Sequence, residues 1–254
     1  MKVPVLNLKN EKVDEVEMPK VFETPVRYDV IKRAVLALQS TRFQPQGRDP
    51  MAGKRTTAES MGTGRGIARV PRIRDGRRAA FGVSIVGGHQ AFPPQSEKVI
   101  VKRINKKEKR LAIRSGIAAT ANKESVERRG HRITDEKQLP IVIDDTVESL
   151  TKTKEVVELF QSLGILADVE RADRKKTRAG RGKMRGRSKK TGKGPLIVVS
   201  EDRGITNAGR NLPGVDIADV QSLNAELLAP GTHPGRLVVW GRTAFEKLDE
   251  VWGN

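Results

Sequence analysis

The chain has 254 residues, carries 49 Lys and Arg against 31 Asp and Glu for a formal net charge of +18, and contains no cysteine. That length accommodates one sizeable α/β core with insertions. The missing cysteines exclude disulfide scaffolds, thiolate metal sites and cysteine nucleophiles, and the charge calls for a polyanionic partner.

The N-terminus has no apolar leader, and no run approaches the roughly 18 apolar residues of a membrane span, so a soluble, cytosolic protein without membrane contact is expected. Val3 to Leu8 and Val13 to Glu17 read as the strands of a hairpin. Thr24 and Pro25 then give an N-cap and a first-turn proline, which predicts a helix starting there. Val26, Val30, Ile31, Ala34, Val35 and Leu38 would form its inner face.

From 39 to about 95 neither a helical nor a strand period is sustained. An irregular segment of that length inside a domain is usually functional or disordered. It reads as an extended arm inserted in a single domain spanning 1–254, running out and back as a rough hairpin. Residues 41 to 80 hold nine arginines and Lys54 against Asp49, Glu59 and Asp75, a surplus of seven charges, with six glycines interspersed.

After the arm, Asn105 with Glu108 signals the start of a largely buried helix through about Ala121. Pro140 to Asp144 is a short β-type run, and Lys152 to Leu163 a helix with Val156, Val157, Phe160 and Leu163 inward. Ile165 to Val169 reads as a further β-type run. A second basic loop occupies 173–194, and residues 171 to 194 hold twelve basic residues against Asp173. β-type runs at Leu196 to Ser200, Val215 to Val220 and Arg236 to Trp240 follow, and a last helix runs near Thr243 to Val251. This βαβ rhythm predicts an α/β fold with a mainly parallel sheet flanked by helices.

The two basic segments together carry a surplus equal to the whole net charge, leaving 27 basic and 27 acidic residues elsewhere. A positive field this local, arginine-rich and glycine-spaced is what an RNA-binding surface needs. Guanidinium forks bind phosphate bidentately and stack on unpaired bases, while glycines let the backbone approach. The candidate RNA contacts are Arg42, Arg48, Lys54, Arg55, Arg65, Arg69, Arg72, Arg74, Arg77 and Arg78 in the arm, and Lys106, Lys107 and Arg110 beyond it. In the second loop they are Lys175, Lys176, Arg178, Arg181, Lys183, Arg185, Arg187, Lys189 and Lys190. His89, where the arm returns, is equally open to an RNA contact or a packing role, whereas His131 and His233 read as surface or loop residues.

Enzymatic readings fare poorly. Gly186 to Gly194 has five residues where a phosphate loop has four between its glycines, lacks a Ser or Thr after Lys193, and precedes a strand. Gly62-Thr63-Gly64-Arg65-Gly66 lacks the flanking strand and helix of a dinucleotide fingerprint. Asp144 and Asp145 could pair for acid–base or Mg²⁺ chemistry, but such a pair usually opens a turn. No cofactor, metal or small-molecule substrate is expected. A nucleic-acid-modifying enzyme using those aspartates, and a free RNA chaperone with disordered tails, are the rival readings.

Several passages resemble the universal large-subunit ribosomal protein four family in its archaeal form. They are Phe22 to Arg27, Gly62 to Gly66 with Arg69 and Arg72, Pro93-Pro94, Asn105 to Leu111, and Arg210-Asn211-Leu212 before Val215-Asp216, in that order. The resemblance spans essentially the whole chain. It implies an α/β globule bound to large-subunit rRNA beside neighbouring ribosomal proteins, with the long loop threading rRNA to the wall of the peptide exit tunnel. Met61, Gly62, Thr63, Gly64 and Arg65 would then line that wall beside the nascent peptide.

Overall fold

The computed structural model describes residues 1–133 and 138–253. It divides into two compact units, Met1–Leu38 with Arg103–Asn254, and Gln39–Lys102. The first holds the sheet.

Strand β1 (Lys2–Leu6) turns into β2 (Lys12–Glu17), its antiparallel partner. Asn7 organises the turn, its Oδ1 accepting from the Lys9 and Glu11 amides. A 3-10 turn, Lys20–Glu23, then buries Val21 and Phe22 before α1 (Tyr28–Ser40). The helix therefore starts later than the Thr24-Pro25 signal predicts. The Thr24 amide closes the 3-10 turn on the Val21 carbonyl at 3.2 Å, and α1 opens only with the bond from Ile31 N–H to Arg27 O.

Helices α2 (Lys106–Ala121) and α3 (Lys123–Arg129) precede β3 (Ile141–Ile143), α4 (Thr153–Ser162) and α5 (Leu166–Asp173). A small hairpin, β4 (Lys176–Thr177) with β5 (Lys189–Lys190), leads to β6 (Leu196–Val199), α6 (Ile205–Gly209) and β7 (Asp216–Asp219). The chain ends with α7 (Ala225–Leu228), β8 (Val238–Gly241), α8 (Arg242–Glu246) and α9 (Leu248–Trp252).

The six-stranded sheet has the order β2-β1-β3-β8-β6-β7. Every pairing except β1 with β2 is parallel, so the expected mainly parallel α/β sheet is present. Alternate side chains of each strand feed opposite cores, as strand geometry requires. Val142, Leu196, Val198, Val238 and Trp240 pack with α1, α2 and α8, while Ile141, Ile143, Ile197, Val199 and Val239 pack with α4, α5 and α6. Trp240 anchors the first core, with Phe22 and Phe245 at ring-centroid distances of 6.0 and 6.3 Å.

Three local expectations need correction. Ile165 to Val169 is not a strand: Gly164, at φ 69°, closes α4, and the buried Ile165, Val169 and Ala172 recur at helical spacing along α5. In α4 Val156 and Phe160 are buried as expected, but Leu159 is the third inward residue and Val157 is half-buried. The last helix is two, broken at Lys247, beyond which Asp249 accepts from the amides of Lys20 and Val21 at 2.9 and 3.1 Å.

Candidate nucleic-acid interface

Residues 41–102 form no regular helix or strand; their order comes from contacts between an outgoing and a returning limb. Arg48 donates its amide to the Pro94 carbonyl at 3.0 Å, and Glu59 and Arg72 exchange amide bonds at 3.1 and 3.0 Å. Between these levels Gly53 presses on the backbone of Gly88 and His89. A Cβ there would lie 2.4 to 2.5 Å from their atoms, so only glycine fits. Beyond Glu59 the chain turns over through Gly62, Gly64 and Gly66, at φ 73°, 83° and 65°. These tip glycines have nothing within 4 Å of a Cβ position, so the turn conformation alone requires them.

Two of the arm's acids, Asp49 and Glu59, are occupied by its own arginines. Asp49 pairs with Arg55, whose hydrogen bond holds the carboxyl below its ordinary range, and Glu59 takes two bonds of 3.0 Å from Arg74. Arg72 is turned inward, with Nη1 on the Arg77 carbonyl at 2.7 Å, and Arg48 reaches Gln90 at 3.4 Å. Arg42 and Lys54 are exposed. Arg65, Arg69, Arg77 and Arg78 are exposed and, among the described residues, make no side-chain hydrogen bond or ion pair. Phe43 and Phe92, in the same unit, stand 66% and 92% exposed. His89 is half-buried against Phe81, ring centroids 5.5 Å apart, with Nδ1 buried and without a hydrogen-bond partner. Its packing role is visible.

The second basic segment is a braced hairpin. Between β4 and β5 lies a 3-10 turn, Arg181–Arg185, flanked by Gly180 and Gly186 at φ 75° and 79°. Arg178 stiffens it, donating its amide to Ser188 O at 2.8 Å and Nε to Arg187 O at 3.0 Å. Arg178 is thus committed within the hairpin. Lys175, Lys176, Arg181, Lys183, Arg185, Arg187, Lys189 and Lys190 are exposed.

The base of this hairpin is tied to the sheet by buried charges that the sequence reading missed. Arg171 donates Nε to Asp168 at 2.8 Å and Nη2 to the Lys193 carbonyl at 2.6 Å. His131, read as a surface residue, is instead buried with Nδ1 2.8 Å from Asp168. Burial lowers its pKa more than the Asp168 carboxylate raises it, so the ring is neutral and Nδ1–H is the donor. Burial pushes the Asp168 carboxyl up, but hydrogen bonds from His131 and Arg171 outweigh it and leave the group below its ordinary value. Lys193 pairs with Asp216 at 2.8 Å, and Asp216 also meets the fully buried Arg236 at 2.7 Å. Arg236 further donates to the carbonyls of Gly194, Gly214 and Leu227, which satisfies a charge that burial would otherwise expel.

Lys106, Lys107 and Arg110 crowd the exposed first turns of α2. Cations at that positive helix pole are unfavourable unless an anion lies near. Asn105 makes no side-chain cap bond, and Glu108 turns to Arg33 at 2.8 Å. Asp144 and Asp145 do not form a paired carboxylate site. Asp145 opens the 3-10 turn Asp145–Ser149 and accepts from the amide and hydroxyl of Thr243, at the start of α8. His233 is exposed, as read.

A covered α/β sheet, with the chain's surplus positive charge carried on two coreless basic segments, defines the class as a basic α/β protein. Comparison with known proteins gives that class a family. Residues 16–251 match the model described as "Ribosomal protein L4/L1 family". Proteins named large ribosomal subunit protein uL4 are similar throughout. The one from Methanosphaera stadtmanae is 52% identical over 252 residues (99% of this chain, 97% of the relative). That from Archaeoglobus fulgidus is 53% identical over 251 residues (98% and 99%), and that from Methanopyrus kandleri 51% over 260 residues (100% of both). The chain belongs to the ribosomal protein L4/L1 family, a family of ribosomal proteins and not of enzymes.

Proposed function

We propose that this protein, a component of the large ribosomal subunit in the cytoplasm, binds large-subunit rRNA through both extensions and supports assembly of the particle. In this reading the tip of the long arm lines the peptide exit tunnel. The observation that carries it is the state of the arm's cations: Arg65, Arg69, Arg77 and Arg78 have no acidic partner among the described residues, although Asp49 and Glu59 are fully engaged by neighbouring arginines. Such guanidinium groups keep all their donors for phosphate and their planar faces for unstacked bases.

The braced hairpin supplies a second footprint. Lys175, Lys176, Arg181, Lys183, Arg185, Arg187, Lys189 and Lys190 project from a frame fixed by the Asp168 and Asp216 networks, so little ordering remains to be done on binding. Lys106, Lys107 and Arg110 add phosphate contacts at the start of α2. His89 and the exposed Phe92 supply stacking faces.

At the tip, Met61, Gly62, Thr63, Gly64 and Arg65 combine a turn held by left-handed glycines with a single cation. A wall beside a moving nascent peptide calls for such a surface, since it offers few side chains for the peptide to adhere to. Neighbouring large-subunit proteins complete the set of partners.

Titration of the full chain with large-subunit rRNA at rising salt tests the reading. With about ten phosphates engaged, log K falls with log salt at a slope of about −7 to −9. A flat response would overturn it.

A further inference from the structure

Apart from the extensions, the sheet-bearing unit has a cleft of about 470 Å³ lined by Tyr28, Ser125, Arg128, Arg129, His233 and Pro234. Its walls are fixed. Arg129 donates Nη2 to the Pro230 carbonyl at 2.9 Å, which ties α3 to the turn Pro230–Thr232. Gly235 follows that turn at φ 93°, so close to α3 that a Cβ would sit 2.4 Å from the Ser125 carbonyl oxygen.

The lining is chemically consistent. Tyr28 is 53% exposed, which leaves a ring face open, and His233 offers a second exposed ring. Arg128 is exposed with no partner among the described residues, and Arg129 keeps a buried Nε with no hydrogen-bond partner. Of the carboxylates adjacent in sequence to the lining, Asp29 is paired with Arg27 at 2.7 Å and Glu127 with Lys123 at 3.7 Å. The cleft therefore presents aromatic faces and guanidinium donors with no competing acid on its lining.

We infer that this cleft takes one unpaired RNA nucleotide, its base on the Tyr28 ring and its phosphate at Arg128 and Arg129. Stacking on an aromatic face with a guanidinium at the phosphate is how single-stranded RNA is held. The inference rests on the RNA-binding reading above and adds to it a contact outside both extensions. An acidic peptide would use the arginines alone and leave the Tyr28 ring uncovered.

Tyr28 is the chain's only tyrosine, so selective tyrosine labelling gives one ring signal to follow by NMR. Titrating the full-length protein with a short single-stranded oligouridylate should shift that signal upfield with saturation. Arg128→Gln, at an exposed position, should weaken the saturation about tenfold while leaving the rest of the spectrum unchanged. If the Tyr28 signal stays still while the oligonucleotide binds by anisotropy, the cleft assignment fails and the extensions keep their role. If nothing binds at all, the RNA reading fails with it. A shift produced by an acidic peptide and not by RNA would also overturn the assignment.

Discussion

Asp168 and Arg171 lie one turn apart on α5 and join at 2.8 Å, and the same guanidinium holds the Lys193 carbonyl at 2.6 Å. One ion pair therefore ties the beginning of the basic hairpin to its end. Asp168 is fully buried and also serves His131 and the Arg132 amide. Asp168→Ala takes the carboxylate from a partly buried cation and a buried imidazole, and should cost about 3 kcal/mol. Urea denaturation measures this, and limited trypsin digestion should show faster cleavage within 175–190. A loss under about 1 kcal/mol would show that the network does not bear on folding.

His131 makes that network pH-sensitive. Its folded pKa lies below the unfolded value of about 6.5, so on acidification the unfolded chain takes up the proton first. Stability is complete above about pH 6.5 and declines as pH falls toward the depressed folded value. Asp168 and Asp216, also lowered in the fold, extend the decline below about pH 4. Urea melts between pH 5.5 and 8 should show the first loss in the parent protein. His131→Gln should be less stable throughout but flat across that interval.

The sheet was legible because its strands announce themselves: Leu196, Ile197, Val198 and Val199 can only be a strand buried on both faces. For the two basic segments the sequence offers composition alone, since arginine and glycine without apolar residues cannot form a core. What failed were features decided by distant partners. His131 sits in a polar stretch and is buried by Asp168, 37 residues away. Arg236 reads as the polar end of a strand, yet it is enclosed by carbonyls from 194, 214 and 227. Ile165 to Val169 is apolar enough for either state, and only the left-handed Gly164 before it sets the helix.

Two glycines with similar backbone angles should answer differently to alanine. Gly214, at φ 75°, would place a Cβ 2.6 Å from the Gly194 amide nitrogen and 2.8 Å from the Gly192 carbonyl oxygen. Gly214→Ala should cost about 2–4 kcal/mol from strain and overlap together. Gly64, at φ 83°, has open space around it. Gly64→Ala should leave the thermal midpoint of the sheet-bearing unit unchanged. Equal losses in the two variants would mean that the close approach at Gly214 is relieved elsewhere.

Asp145 separates a structural from a catalytic reading of the adjacent aspartates. Because it accepts from the Thr243 amide and hydroxyl, Asp145→Ala removes the cap of α8 and should cost about 1–2 kcal/mol. Asp144→Asn should be close to neutral, as its side chain makes no cap bond. Comparable destabilisation by both changes would argue that the pair acts as a unit. Chemical denaturation of the two variants decides between these outcomes.

Deleting 55–78 separates folding from binding. Among the described residues, neither hydrophobic core takes a side chain from 39–102, so the sheet-bearing unit should unfold at the parent's urea midpoint. The deletion removes seven arginines, of which Arg55, Arg72 and Arg74 are already engaged within the arm. Four remain to meet phosphate: Arg65, Arg69, Arg77 and Arg78. Each single-strand phosphate contact contributes about −0.7 to the salt slope, so the deletion should make it shallower by about 3. A change near 5 would mean that rRNA draws Arg55, Arg72 and Arg74 out of their internal bonds. No change would remove the arm's tip from the RNA-binding surface, even with the globule intact.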